Sequence, residues 1–136
     1  MKGPSDSCTG RTIFRRLNED ARNAILDKHN LIRRRIAVGN ETGGVDPPQP
    51  GAGNMRQLVW SDELEMIAQR WADQCKIGED TVRDKMDGSR VGQNYYCAIH
   101  PRVEVEEEIQ GDITVAVKNW YKLIKKTLII DSFHLC

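Results

Sequence analysis

Apolar residues recur along this chain at helical spacing in three places and at strand spacing only in short runs. Ala21, Ile25, Ile32 and Ile36, with Ala24 and Leu31 alongside, fall on one face of a helix. Asn18 offers a side-chain oxygen to the first free amides, Glu19 and Asp20 suit the positive end of the helix dipole, and Gly39 is a natural stop. The pattern predicts a helix over 18–38. Ser61, followed by Asp62 and Glu63, opens a second. Leu64, Ile67, Ala68, Trp71, Ala72 and Cys75 then form one stripe, which predicts a helix over 61–76 with Trp71 and Cys75 on its core side. Ile113, Val117, Trp120 and Ile124 predict a third over 112–126.

Between these segments, Leu58-Val59-Trp60 and Val91 to Cys97 read as short strands. Residues 39–54 hold five glycines and three prolines and read as a loop, as do residues 76–90 and 104–111. Residues 1–17 show no period and read as an irregular leader, leaving 18–136 as the domain. The apolar triplet Leu128-Ile129-Ile130 has little following chain to cover it. The expected fold class is α+β, mostly helical with one or two short strands.

Composition narrows the classes open to the chain. With 136 residues it suits one domain, and 39% hydrophobic with 29% charged residues fits a globular protein rather than a disordered one. Lys plus Arg and Asp plus Glu both number 20, so no net field points to nucleic acid or an anionic membrane. The basic Arg33-Arg34-Arg35 cluster, the lysines at 118, 122, 125 and 126, and acidic Glu104 to Glu108 read as solvated faces. No apolar run reaches the ~20 residues of a membrane span, and Met1 to Ser7 lacks the apolar core of a secretion signal. Cys8, Cys75, Cys97 and Cys136 have no C-x-x-C spacing, and if all four pair, spacing alone leaves every connectivity open.

Chemistry-bearing motifs are sparse. His29, His100 and His134 show neither H-x-x-x-H nor H-E-x-x-H spacing, so zinc has no local signature. His29 flanks the buried stripe of the first helix and reads as a hydrogen-bonded structural histidine. His100 and His134 fall in segments with no expected helix or strand to fix them. There is no G-x-S-x-G elbow and no glycine-rich phosphate loop before a helix.

Five blocks carry more information. Ala24 to Arg33 reads AILDKHNLIR, Pro47 to Met55 PPQPGAGNM, Leu58 to Leu64 LVWSDEL, Ala68 to Cys75 AQRWADQC, and Val91 to Asn94 VGQN. In this order and spacing they closely resemble the N-terminal half of arthropod antigen-five (venom-allergen) proteins of the CAP superfamily; Asn119-Trp120-Tyr121 extends the likeness more weakly. The resemblance implies an α-β-α sandwich, here incomplete, in a secreted, disulfide-bonded, extracellular protein. Many members carry a cleft with two His and two Glu that can hold a divalent metal, and others bind sterols or fatty acids.

At the cleft positions the chain departs from that pattern. The first His, in a G-H-D element, is replaced by Glu79 within Gly78-Glu79-Asp80. The first Glu corresponds to Gln93, an arthropod variant, and the second to Leu123. The second His belongs to a G-H-Y-T-Q segment that the chain does not reach. The cysteine after G-H-D is replaced by Val82, so one family disulfide cannot form, whereas the resemblance pairs Cys8 with Cys75 and names no partner for Cys97 or Cys136. Asn40-Glu41-Thr42 is an N-glycosylation sequon in a Gly/Pro-rich loop.

The expectation is therefore a monomeric, secreted CAP-domain protein of venom-allergen type, not an enzyme and without cofactor or metal. It would engage an unidentified protein or lipid partner, with no nucleic acid and no membrane span. The alternatives are a poorly folded fragment from a partial gene model, since strands that would cover Leu58-Val59-Trp60 and the helices are expected to be missing, and a hydrolase.

Overall fold

Three helices form where the periodicity places them, each started or stopped by the residues suited to the task. In a computed structural model, residues 6–8, 17–43, 49–97, 106–122 and 133–135 are described, with backbone alone for 7, 106–112 and 133–135. Helix α1 runs Glu19–Ala37, its first amides capped by Asn18, whose Oδ1 accepts from the Ala21 N–H at 2.8 Å. Gly39, at φ 76°, takes the left-handed turn that ends it. Helix α2 runs Asp62–Ala72 behind Ser61, whose hydroxyl accepts from the Leu64 N–H at 3.4 Å.

Helix α2 stops short of the expected residue 76. Gln74 and Cys75 donate to the carbonyls of Trp71 and Ala72, three residues back, so the last turn tightens, and Cys75 then turns left-handed at φ 48°. Helix α3, Glu106–Lys122, begins six residues ahead of the expected Asp112. Of the stretch 104–111 read as a loop, residues 106–111 belong to α3, where the carboxylates of the first turn suit the positive helix end and Gly111 costs the interior only about 1 kcal/mol, while 104 and 105 lie outside the described residues. Its expected continuation to 126, with Ile124, lies outside the described residues.

The described chain divides into two units, each assembled from separated stretches. The first is Asn18–Trp60 with Ile109–Ile129. Ala21 and Ile25 of α1 and Ile113, Ala116 and Val117 of α3 are buried in it, the α3 set at the 0, 3 and 4 spacing of one helix face. His29 Nδ1–H donates to the Ile25 carbonyl at 2.8 Å, and its ring lies 6.2 Å from that of Trp120, the structural role expected for this histidine. Leu31, placed beside the buried stripe by the sequence, is 58% exposed, because the inward face passes through Asn30 instead.

Asn30 also explains why Leu58-Val59-Trp60 is not a strand. Its amide pairs with both backbone groups of Leu58, donating to the carbonyl at 3.1 Å and accepting from the N–H at 2.8 Å. Arg33 fastens the preceding turn through two bonds to the Arg56 carbonyl, 3.1 and 2.9 Å. With α1 side chains supplying the partners that a ladder would, the segment stays extended without a neighbouring strand, and Val59 faces solvent.

The second unit is Met1–Leu17, Ser61–Glu108 and Ile130–Cys136. Asp6–Cys8 forms one 3₁₀ turn, and Cys8, buried, is bonded to Cys75. Ile67 is buried on α2, and Trp71 is half-buried. Strand β1, Asn94–Tyr96, lies within the expected strand region. It pairs in parallel with β2, Phe133–Leu135, in the register Asn94 to Phe133, Tyr95 to His134 and Tyr96 to Leu135. His134 thus sits in a strand, against the expectation of no framework there; three residues are too few to show a period. Strand β2 packs on α2. No helix among the described residues is long and apolar enough to cross a membrane.

Candidate functional site

Two of the three positions singled out by the family likeness lie in the second unit, on the loop leaving α2 and at the entry to β1. The Trp71 indole N–H donates to the Gly78 carbonyl at 2.9 Å and pins the loop back to the helix that precedes it. Gly78, at φ 115°, takes a conformation that a side chain would resist, and the chain turns there so that Asp80 points inward.

Asp80 is only 5% exposed and is committed on every side. Its Oδ2 accepts from Arg70 at 2.8 Å, its Oδ1 from the Val82 N–H at 2.8 Å, and its own N–H donates to Gln93 Oε1 at 2.7 Å. Arg70 also donates to the Val82 carbonyl. Arg83 reaches the Val91 carbonyl at 2.6 Å and the Asp80 carbonyl as well. Because Gln93 Oε1 must be the acceptor, its amide orientation is fixed, and the buried Nε2 has no hydrogen-bond partner among the described residues.

Glu79 is turned the other way. Its side chain is 68% exposed and meets Arg83 at 3.9 Å, a solvent-screened contact. Leu123 lies outside the described residues. The structure therefore brings Gln93 to Asp80, not to Glu79, and ties the end of α2, the Gly78–Val82 loop and the start of β1 into one clasp. Such an arrangement can hold a loop in place. It does not fit a zinc ion: Asp80 and Gln93 have their oxygens engaged, and one solvated carboxylate does not make the three- or four-ligand shell that zinc takes.

A second polar site was missed in the sequence, where Glu41 stood only as the middle residue of a sequon. In the first unit Glu41 is 4% exposed. Its Oε2 accepts from Arg35 at 2.8 Å and from the Tyr121 hydroxyl, its Oε1 accepts from the Gly43 N–H at 2.6 Å, and the Arg35 guanidinium lies 5.2 Å from the Tyr121 ring. These groups, with Asn40 and Thr42, line an open recess of about 370 Å³. Two arginines read as part of a solvated cluster, Arg33 and Arg35, are thus structural anchors. One signal was available: a carboxylate just beyond a helix C-terminus faces the negative dipole end and needs a cationic partner.

Asp87 stands apart from both sites. Asp87 lies in the turn closed by Lys85 and Ser89, and hydrogen bonds from the Ser89 hydroxyl and N–H, with Lys85 close by, hold its carboxyl down to about 2.

A helical α+β domain whose N-terminal segment is bridged to the end of α2, with a G-Q-N strand entry docked on the loop that follows α2, is a small disulfide-bonded α+β domain. The model of the cysteine-rich secretory protein (CAP) family matches residues 26–134, and the chain belongs to that family. Venom allergen 5 of Vespula maculifrons is 53% identical over 78 residues, 57% of this chain and 38% of that protein. Another match to a venom allergen 5 of that species is 49% identical over 109 residues, 80% of this chain and 45% of that protein. The venom allergen 3 homolog of Dinoponera quadriceps is 46% identical over 78 residues, 57% of this chain and 33% of that protein. The chain spans less than half the length of these relatives.

Proposed function

We propose that the chain is a secreted, extracellular CAP domain of venom-allergen type that acts by non-catalytic interaction with a protein or lipid partner. The observation that carries this reading is the engagement of the family's cleft positions. Gln93 serves as an acceptor for the Asp80 backbone and Glu79 stands in solvent beside Arg83. General acid–base work needs a titratable group free to reach a substrate, and metal chemistry needs converging ligands. The family's carboxylate position is here a neutral amide committed to holding a loop.

Isothermal titration of zinc into the purified chain at neutral pH tests the reading. The expected result is weak, non-stoichiometric heat, unchanged by Glu79→Ala. A one-to-one complex in the submicromolar range that Glu79→Ala abolishes would reject it.

Secretion also makes Asn40 a candidate for N-glycosylation. Asn40 and Thr42 are exposed while Glu41 between them is buried, and the Asn40 N–H is fixed to the Arg35 carbonyl at 3.0 Å, so the two residues of the sequon that enzymes read face outward. Secreted chain is expected to gain gel mobility on glycosidase treatment, and Asn40→Gln to remove that gain. Unchanged mobility of the untreated and treated secreted chain would reject the modification.

A further inference from the structure

The carbonyl end of α1 carries more cationic side chains than the fold itself employs. Arg35 is spent on Glu41, and Arg33 uses Nε and Nη2 on the Arg56 carbonyl. Arg34 and Arg56 are exposed, and their side chains have no hydrogen bond or ion pair among the described residues. The two bonds from Arg33 draw Arg56 up to α1. Gln57, next in sequence, lines an open recess of about 260 Å³ with Asp27, Asn30, Leu31 and Arg34. All of these residues belong to the first unit. We propose that this face binds a sulfated glycosaminoglycan chain, with Arg33, Arg34 and Arg56 meeting its sulfates and Asp27 and Gln57 its hydroxyls.

The negative end of the helix dipole accounts for cations in the last turn of α1. It does not account for Arg56, which stands on a separate segment and is brought to the helix by Arg33. Like charges gathered in this way repel one another, and an anionic partner that spans them relieves the repulsion. Guanidinium groups suit tetrahedral oxyanions, because their planar fork of donors can meet two oxygens at once.

The remaining lining residues select among polyanions. The Asp27 carboxylate and the Gln57 amide offer hydrogen bonds to neutral hydroxyls, which a sulfated sugar carries beside its charges. The same carboxylate opposes a surface of packed lipid phosphates. No aromatic side chain lines the recess, so bases have no platform on which to stack. The proposal takes its extracellular setting from the reading above and goes beyond it by naming the chemistry of a partner.

The test is fluorescence anisotropy of a labelled heparin oligosaccharide titrated with the full chain at low and at physiological ionic strength. Binding is expected, weakening as salt rises. Arg34→Ala and Arg56→Ala are each expected to weaken it about fivefold, the usual worth of one cation against a polyanionic surface. Both side chains lack partners among the described residues, so circular dichroism and melting should match the unaltered chain. Arg90→Ala, which removes an exposed cation from the second unit, should leave affinity unchanged. Absence of binding at low salt would overturn the proposal, as would an equal loss in Arg90→Ala, which would mark a response to net charge alone. Phosphatidylserine vesicles or single-stranded DNA binding as tightly as heparin would also overturn it. Blotting the medium of expressing cells follows secretion separately, so a chain that is exported yet does not bind heparin fails this proposal alone.

Discussion

Glu41 lies just past the carbonyl end of α1, where a carboxylate is disfavoured, and is held there by Arg35, the Gly43 N–H and the Tyr121 hydroxyl. Removing it leaves a backbone N–H and a hydroxyl without their acceptor, while Arg35, half exposed, rehydrates. Glu41→Ala is expected to cost about 1–3 kcal/mol and Tyr121→Phe about 1 kcal/mol, measured as shifts of the urea midpoint. A midpoint unchanged by Glu41→Ala would show that the anchor is dispensable. Asp87 supplies a pH signature of its own. Its carboxyl, ordinarily at 3.8, is held down to about 2 by Ser89 and Lys85, so it stabilises the fold fully above about pH 4 and loses that contribution as pH falls toward 2. Thermal melts of the chain and of Asp87→Asn are expected to differ at pH 5 and to converge as the pH is lowered through that window; a constant difference would reject the linkage. At this scale the helix caps were legible, because Asn18 and Ser61 act on amides three residues away. Asn30, Glu41 and Asp80 were not: Leu58, Tyr121 and Gln93, which give them meaning, lie 28, 80 and 13 residues off.

Among the elements, helices were readable in proportion to their periodicity, and errors fell where local chemistry overrode it. The stripe through Leu64 to Cys75 extends past α2, yet the backbone leaves the helix before Cys75 because that residue is held left-handed at the bridge to Cys8. Acidic residues before Ile113 looked like solvent-loving loop and are instead the charge that a helix start accepts. Leu58 to Trp60 has strand composition but takes its hydrogen bonds from Asn30, and β2 is too short for any pattern to mark it. The loop after α1 has its own exact fit. Ala52 donates to the Ala37 carbonyl at 3.0 Å, and a methyl added at Gly51 would stand 2.9 Å from that same oxygen. Backbone on both sides leaves little room to yield, so Gly51→Ala is expected to cost about 1–3 kcal/mol. Gly53→Ala, which meets nothing within 4 Å among the described residues, is the matched control and should be nearly neutral. Equal urea midpoints for the two variants would show that the close approach relaxes freely.

For the molecule as a whole, the Cys8–Cys75 bridge spans 67 residues and ties the 3₁₀ turn to the end of α2. Closing a loop of that length removes about 4 kcal/mol of chain entropy from the unfolded state. The Cys8→Ser, Cys75→Ser pair is expected to melt well below the bridged chain, and a melting temperature unaffected by their loss would show that native strain cancels the gain. Sequence likeness named this bridge correctly because it preserves both the cysteines and the intervening blocks, whereas the division into two units left no trace in composition or linkers. Each unit is assembled from stretches that alternate along the chain, Asn18–Trp60 waiting for Ile109–Ile129 and Ser61–Glu108 flanked by both termini. Synthesis runs in one direction. When α1 leaves the ribosome, the α3 side chains that complete its core have not been made, and Cys8 has been exposed for the whole interval before Cys75 appears. Neither unit can therefore finish folding on the nascent chain until translation has passed α3. Until then the inward faces of α1 and α2 are available to chaperones, and Cys8 to whatever thiol chemistry the compartment offers.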